Sequence, residues 1–176
     1  MLAMIGGDES ALLELAKEAH VDVANLNAPR QIVLSGSIEG IEAAIEKSKS
    51  KGIKRAIPLP VAGAYHSRLM KSAQDKLAAA LAAAPIQSPR VPVICNFEAR
   101  PVATPEQIRS TLTSQVTGSV RWVESVQHLV AAGHTLFIEL GPDATLAGLV
   151  GKIDKSVKVI TIKDVASLDA AVLQLQ

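Results

Sequence analysis

The chain has 176 residues, 48% apolar and only 2% aromatic, with 18 basic and 17 acidic residues and a formal net charge of +1. That is enough aliphatic material for a packed core and too much for a disordered segment. The balanced, well-mixed charge gives no case for a nucleic-acid binder, the lone Cys95 excludes a disulfide framework, and no apolar run reaches the length of a membrane span, so the sequence reads as a soluble cytoplasmic protein.

Met1 to Ile5 is a short apolar run closed by Gly6-Gly7, consistent with a strand. Asp8 stands where a carboxylate can cap a helix, and Leu12, Leu13, Leu15, Ala16 and Ala19 give that helix an apolar face. Residues 21–26 and 31–35 read as two strands joined by Asn27-Ala28-Pro29-Arg30. Ser37 can cap a second helix, whose Ile38, Ile41, Ala44 and Ile45 recur at helical period, and Gly52 ends it before a fourth strand over 54–59. The order β-α-β-β-α-β is the ferredoxin-like split motif, with two helices on one face of an antiparallel sheet. The basic run Lys47, Lys49, Lys51, Lys54 and Arg55 falls at a helix end, where positive charge complements the helix dipole.

Beyond residue 67 the pattern changes. A helix is predicted over 68–84, with Leu69, Met70, Ala73, Leu77, Ala80, Leu81 and Ala84 on one side and Pro85 stopping it. Residues 91–96 read as a brief strand in which Cys95 is a small buried thiol. Thr104-Pro105-Glu106-Gln107 is a capping box with proline at the first helical position. Further helices are expected near 120–131, 146–153 and 166–175, and strands over 135–140 and 157–162. Strands alternating with helices imply part of a parallel α/β layer. About three strands are too few for such a sheet, so the second half reads as a piece of a larger domain that exposes an apolar edge.

The most informative stretch is Leu59-Pro60-Val61-Ala62-Gly63-Ala64-Tyr65-His66-Ser67, a Pro- and Gly-shaped loop that sets one histidine just ahead of a helix. Two readings stand on pattern alone: a general base, or a surface or cap histidine. A base needs a group to orient its ring, and no Asp or Glu lies within six residues of His66. His20, His128 and His134 have no metal-ligand spacing. Asn25 and Asn27 alternate along a strand end and share a face, either to orient a polar ligand or to satisfy the turn. Neither Gly6-Gly7 nor Gly141-Pro142 belongs to a phosphate-cradling pattern.

Four separate motifs add a resemblance. Residues 23–36 (Val23-Ala24-Asn25-Leu26-Asn27-Ala28-Pro29-Arg30-Gln31 onward) and 56–70 (Ala56-Ile57-Pro58 through Tyr65-His66-Ser67-Arg68-Leu69-Met70) are two of them. Gln115-Val116 with Val120-Arg121-Trp122-Val123-Glu124-Ser125-Val126, and Phe137-Ile138-Glu139-Leu140-Gly141-Pro142, complete the set. In this order they make residues 1–153 resemble the C-terminal half of malonyl-CoA:acyl carrier protein transacylases. The resemblance implies an α/β fold: a ferredoxin-like small subdomain over 1–60, then, over 61–176, the C-terminal part of a large α/β-hydrolase-like acyltransferase domain.

It further implies that His66 is the catalytic histidine, that the Gln115 backbone carbonyl orients it, and that Asn25 and Asn27 line the substrate-binding side of the cleft. The implied reaction is ping-pong transfer of malonyl from malonyl-CoA, through a serine, to the phosphopantetheine thiol of acyl carrier protein in fatty acid biosynthesis, with no cofactor and no metal. The family's Gly-His-Ser-x-Gly elbow, its carboxylate-binding arginine and its oxyanion-hole glutamine match nothing here, and Ser35-Gly36, Ser67, Arg30, Arg68 and Arg121 do not replace them. The chain is therefore expected to be inactive alone. Alternatives are one half of a split enzyme completed by a second polypeptide, a non-catalytic module binding acyl carrier protein or CoA, an incomplete reading of a longer gene, and a polyketide-type acyltransferase fragment. Tyr65 stands where the family commonly has Phe, and Asp143 where it commonly has Gly.

Overall fold

Short apolar strands and two helices with apolar faces organise the first 58 residues. In a computed structural model that describes residues 1–175, strands β1 (Leu2–Ile5), β2 (Asp22–Ala28), β3 (Gln31–Ser35) and β4 (Arg55–Pro58) form one sheet in the order β2-β3-β1-β4. Every neighbouring pair is antiparallel. Register sets Leu2 opposite Leu34 and Met4 opposite Ile32, and because side chains alternate across a strand these four share one face. Helices α1 (Glu9–Glu18) and α2 (Ile38–Ser48) cover that face, adding Leu12, Leu15, Ala16 and Ala44 to a fully buried aliphatic core. The β-α-β-β-α-β order read from the sequence is the order observed.

Local chemistry fixes the ends. Gly6 and Gly7 take φ of 86° and 79°, left-handed values that only glycine adopts without strain, so β1 can turn into α1. Ser37 caps α2, its Oγ accepting from the Gly40 N–H at 3.2 Å. Asp8 occupies the cap position of α1 but makes no side-chain cap hydrogen bond, contrary to the expectation. The basic helix end is tied down: Lys51 reaches Glu14 at 3.0 Å and Glu18 at 2.6 Å, and Lys47 reaches Glu18 at 3.6 Å.

After β4 come the nine-residue loop, a 3₁₀ turn over Arg68–Met70, and α3 (Lys71–Ala83). The strand expected over 91–96 shrinks to β5 (Val93–Ile94), which pairs antiparallel with β6 (Pro101–Val102) rather than entering a parallel layer. Three prolines between 85 and 92 cannot donate to a ladder, which limits that strand. Helix α4 (Pro105–Gln115) starts on the complete capping box of Thr104 and Gln107. It packs along α3, where Arg109 donates from Nε to the Leu81 carbonyl and from Nη2 to the Ala84 carbonyl, both at 2.9 Å. Helix α5 covers Trp122–Ala131.

Two compact units result, Met1–Ser125 and the remainder from Val126 onward. The second contains β7 (Leu136–Leu140), α6 (Thr145–Ile153), β8 (Lys158–Ile162) and α7 (Val165–Leu175). β7 and β8 are parallel and in register from Leu136–Lys158 to Leu140–Ile162. Leu149, Val150, Ile160 and Ala171 are buried, whereas Leu136, Ile138 and Leu140 on β7 are exposed, Leu140 by 77%. Glu139, also on β7, caps α6: its carboxylate oxygens accept from the N–H groups of Leu146 (3.0 Å) and Ala147 (2.7 Å). Among the described residues no helix is long and apolar enough to cross a membrane.

Candidate active site

His66 sits in the left-handed region at φ 57°, a conformation that costs a residue with a Cβ and persists only when its surroundings impose it. Those surroundings are identifiable. Ser67 is fully buried; its Oγ donates to the Ala64 carbonyl at 2.6 Å and accepts from the Leu69 N–H at 3.3 Å, closing the turn on both sides of His66. Arg68 is clasped by the start of β2. Its backbone N–H donates to Asp22 Oδ2 at 3.0 Å, its Nη1 to Asp22 Oδ1 at 3.1 Å, and its Nη2 to the His20 carbonyl.

The ring itself is held from α4. His66 Nδ1 lies 2.9 Å from the backbone carbonyl oxygen of Gln115, the last residue of that helix. A carbonyl only accepts, so Nδ1 carries the proton and Nε2 keeps its lone pair, an assignment made from the hydrogen-bond network. The Gln115 side-chain Nε2 donates to the Gly118 carbonyl at 2.9 Å, which fixes the amide's orientation; it lies 3.2 Å from His66 Nδ1, a contact between two donors that adds no hydrogen bond in this tautomer. Gln115 Oε1 is buried without a partner among the described residues. The helix end is set in turn by Gln74 of α3, whose Nε2 donates to the Thr113 carbonyl (3.0 Å) and Thr117 Oγ1 (3.1 Å). A half-buried imidazole with an oriented ring and no partner on Nε2 among the described residues can act as a general base.

Asn25 and Asn27 lie on β2, both half-buried. Asn25 stands opposite Val33 while Leu26 stands opposite core Ile32, so the Asn25 side chain is on the face away from α1 and α2. β2 has register shifts between Val23 and Asn25 and between Leu26 and Ala28, and such bulges re-aim side chains and bend a strand. The segment after Gln115 lies along the outer edge of the bulge: Val120 donates to the Ala24 carbonyl at 2.8 Å and accepts from Leu26 at 2.9 Å. Ser119 Oγ donates to the Val23 carbonyl at 2.5 Å. His66 and Gln115 are thus brought together by a direct hydrogen bond, and Asn25 is joined to Gln115's segment through backbone. Among the described residues no hydrogen bond links either asparagine side chain to the imidazole.

Cys95 is half-buried rather than buried, and lines an apolar cavity of about 380 Å³ with Ile94, Phe97, Ile108, Leu112 and Gln115. His20 takes a left-handed turn at φ 54° after α1. No group of three or more His, Cys, Asp or Glu able to hold a metal occurs among the described residues. Sequence reasoning singled out His66 by its loop. It missed Asp22, Ser119 and Gln74, whose contacts join residues 46, 96 and 39 positions apart and leave no local signal.

Comparison with known proteins gives the family. The family model described as acyl transferase domain matches residues 3–169, and the chain belongs to that family. Within it the similarity runs to malonyl-CoA:acyl carrier protein transacylases. The chain is 41% identical to the malonyl CoA-acyl carrier protein transacylase of Bacillus subtilis over 100% of its own length and 57% of that relative's. It is 38% identical to the polyketide biosynthesis malonyl CoA-acyl carrier protein transacylase PksC of the same organism, covering 91% of this chain and 57% of the relative. Among solved structures, an acyl-carrier-protein S-malonyltransferase from Burkholderia pseudomallei superposes with a TM-score of 0.94 at 41% identity, over 98% of this chain and 57% of that one. The transacylase from Coxiella burnetii gives 0.95 at 34% identity, over 99% and 56%. The mixed α/β fold is therefore the fold of these enzymes, and the chain spans a little over half the length of the relatives it matches.

Proposed function

We propose that this chain is the C-terminal part of a malonyl-CoA:acyl carrier protein transacylase that works in the cytoplasm in fatty acid biosynthesis. Residues 1–60 are its ferredoxin-like small subdomain, and 61–176 the C-terminal part of its large α/β-hydrolase-like domain. His66 is the general base, the Gln115 carbonyl orients it, and Asn25 and Asn27 face the substrate. The observation that carries this reading is the 2.9 Å hydrogen bond from His66 Nδ1–H to the Gln115 carbonyl, which leaves Nε2 free to accept a proton.

The chemistry follows from that imidazole. His66 Nε2 takes the proton of a serine hydroxyl as the serine oxygen attacks the malonyl thioester carbonyl. The carbon–sulfur bond of malonyl-CoA breaks, the CoA thiolate leaves with the proton, and malonyl remains as a serine ester. Attack by the phosphopantetheine thiol of acyl carrier protein reverses the roles: His66 removes the thiol proton and returns it to the serine oxygen. No cofactor enters either step. A carbonyl orienter adds no charge beside the ring, so the imidazolium formed in each half-reaction stays transient, and its proton is passed on.

Residues 1–176 contain no Gly-x-Ser-x-Gly segment, so the serine, the oxyanion donors and the cation for the malonyl carboxylate come from polypeptide outside them. The exposed Leu136, Ile138 and Leu140 of β7 support that view, since a parallel pair of only two strands with apolar side chains uncovered on one of them is a fragment of a wider sheet. Incubation with labelled malonyl-CoA tests it. Residues 1–176 alone should acquire no covalent malonyl, and a polypeptide bearing Gly-His-Ser-x-Gly should acquire it only when the two are combined. A stable adduct on residues 1–176 alone overturns the proposal. The similarity to PksC favours a second acceptor, a polyketide-type acyl carrier protein, with the same base and the same first half-reaction.

A further inference from the structure

The two members of the His66–Gln115 pair come from segments 49 residues apart, yet both are fastened to one edge of one strand. On the His66 side, Asp22, the first residue of β2, takes the Arg68 backbone N–H on Oδ2 and the Arg68 guanidinium on Oδ1. On the Gln115 side, Ser119 binds the Val23 carbonyl, and Val120 bridges Ala24 and Leu26. Residues 20 to 26 therefore hold, in sequence, the loop that carries the imidazole and the segment that follows the carbonyl.

The clasp at Asp22 differs from an ordinary surface ion pair, which contributes little because both side chains are free to leave. One of its two hydrogen bonds goes to a backbone N–H, an orphan donor at the start of the 3₁₀ turn, and so fixes main chain rather than a mobile head group. The carboxylate is the firmer end: the Asp22 side chain is 27% exposed and that of Arg68 60%. The fixed main chain is two residues from His66, whose left-handed backbone needs such restraint. A proton-transferring group misplaced by a fraction of an ångström loses much of its effect.

We propose that Asp22 is a positioning residue for His66: by clasping Arg68 onto β2 it sets the distance between the imidazole and the Gln115 carbonyl, with Ser119 registering the other side against the same strand. This rests on His66 being the base, but its test does not depend on turnover. Asp22→Ala removes both acceptors, and Asp22→Asn keeps one.

The experiment is imidazole ¹⁵N spectroscopy on the full chain, reading the His66 tautomer and the solvent exchange of its Nδ1–H. Asp22→Ala should speed that exchange by about tenfold, the equivalent of one lost charge-assisted hydrogen bond, and mix in the Nε2–H tautomer. Asp22→Asn should recover part of the difference. Ile32→Val, a core change in the same sheet, should lower the melting temperature without moving either readout. If Asp22→Ala does not fold, Arg68→Gln, which keeps the backbone bond, should still accelerate exchange by a smaller factor.

Unchanged tautomer and exchange in the folded Asp22 variants, or an equal response to Ile32→Val, overturns the proposal. So does a parent chain whose His66 carries its proton on Nε2. Failure of malonyl loading while the Asp22 variants still shift the imidazole counts against the proposed reaction and leaves the positioning role standing.

Discussion

The carbonyl oxygen of Gln115 accepts a hydrogen bond from His66 Nδ1 at 2.9 Å, so a residue at the end of α4 orients a ring carried by the loop after β4. Because the acceptor is main chain, substitution of the Gln115 side chain separates orientation from packing. We expect Gln115→Ala to keep the Nδ1–H tautomer of His66 in ¹⁵N spectra. It should cost about 1 kcal/mol in urea unfolding through the lost hydrogen bond to the Gly118 carbonyl. A parent chain in the Nε2–H tautomer that turns to Nδ1–H in Gln115→Ala would show that the side-chain amide, not the backbone, orients the ring.

Gly118 is the tightest point behind that orientation. A Cβ there would lie 2.3 Å from Phe97 Cε2 and 2.9 Å from the Ser114 carbonyl oxygen, inside any real contact. Gly118→Ala should destabilise the chain by about 1–3 kcal/mol, the usual range for overpacking. Adding Phe97→Leu should recover part of the loss by clearing the ring while leaving the Ser114 clash. A neutral Gly118→Ala would mean the loop relaxes freely and does not hold Gln115.

Two neighbouring residues of β7 should behave oppositely. Glu139 caps α6 by accepting from Leu146 and Ala147, so Glu139→Ala should cost about 1 kcal/mol or more in thermal or urea unfolding. Ile138 is exposed, so Ile138→Ser should change stability by less than about 0.5 kcal/mol while reducing binding of an apolar dye. Strong destabilisation by Ile138→Ser would show that this face is already covered within residues 1–176.

The Glu18–Lys51 contact gives the first unit a defined pH response. The hydrogen bond from Lys51 holds the Glu18 carboxyl below its ordinary value, and the same bond raises the Lys51 ammonium above its own. A lowered carboxylate contributes stability above its unfolded value and loses it as pH falls through the folded one. A raised ammonium contributes below its unfolded value and loses it as pH rises through the folded one. The contact therefore operates between the carboxylate and lysine ranges. Glu18→Gln should flatten the decline of melting temperature between about pH 5 and pH 3. An unchanged acid limb in that variant would mean other carboxylates carry it.

Where periodicity and capping act locally, the sequence was legible. The short apolar runs at residues 2–5 and 31–35, the helical recurrence of Ile38, Ile41, Ala44 and Ile45, and the Thr104–Gln107 box all appear in the fold as read. Asp8 failed as a side-chain cap although its position was right, because residue type permits a cap bond without compelling it. The strand ending in Asn96 was overextended because its partner, Pro101–Val102, is only two residues long and carries a proline. At the candidate site, the loop shape drew attention to His66 but left base and cap histidine open. Gln115 entered only through a family resemblance, since a backbone carbonyl leaves no mark in a sequence. Asp22 and Ser119 were invisible for a related reason: they act on main-chain groups far away in the chain.

The most direct test of the base assigned to His66 is covalent loading of labelled malonyl onto a Gly-His-Ser-x-Gly polypeptide combined with this chain or with His66→Asn. Asparagine tolerates the left-handed backbone at this position, so the variant should fold and unfold as the parent does. The expected result is loading slowed by about 10²–10⁴-fold, the range for removal of a general base. Loading by the His66→Asn chain at the parent's rate would contradict the assignment.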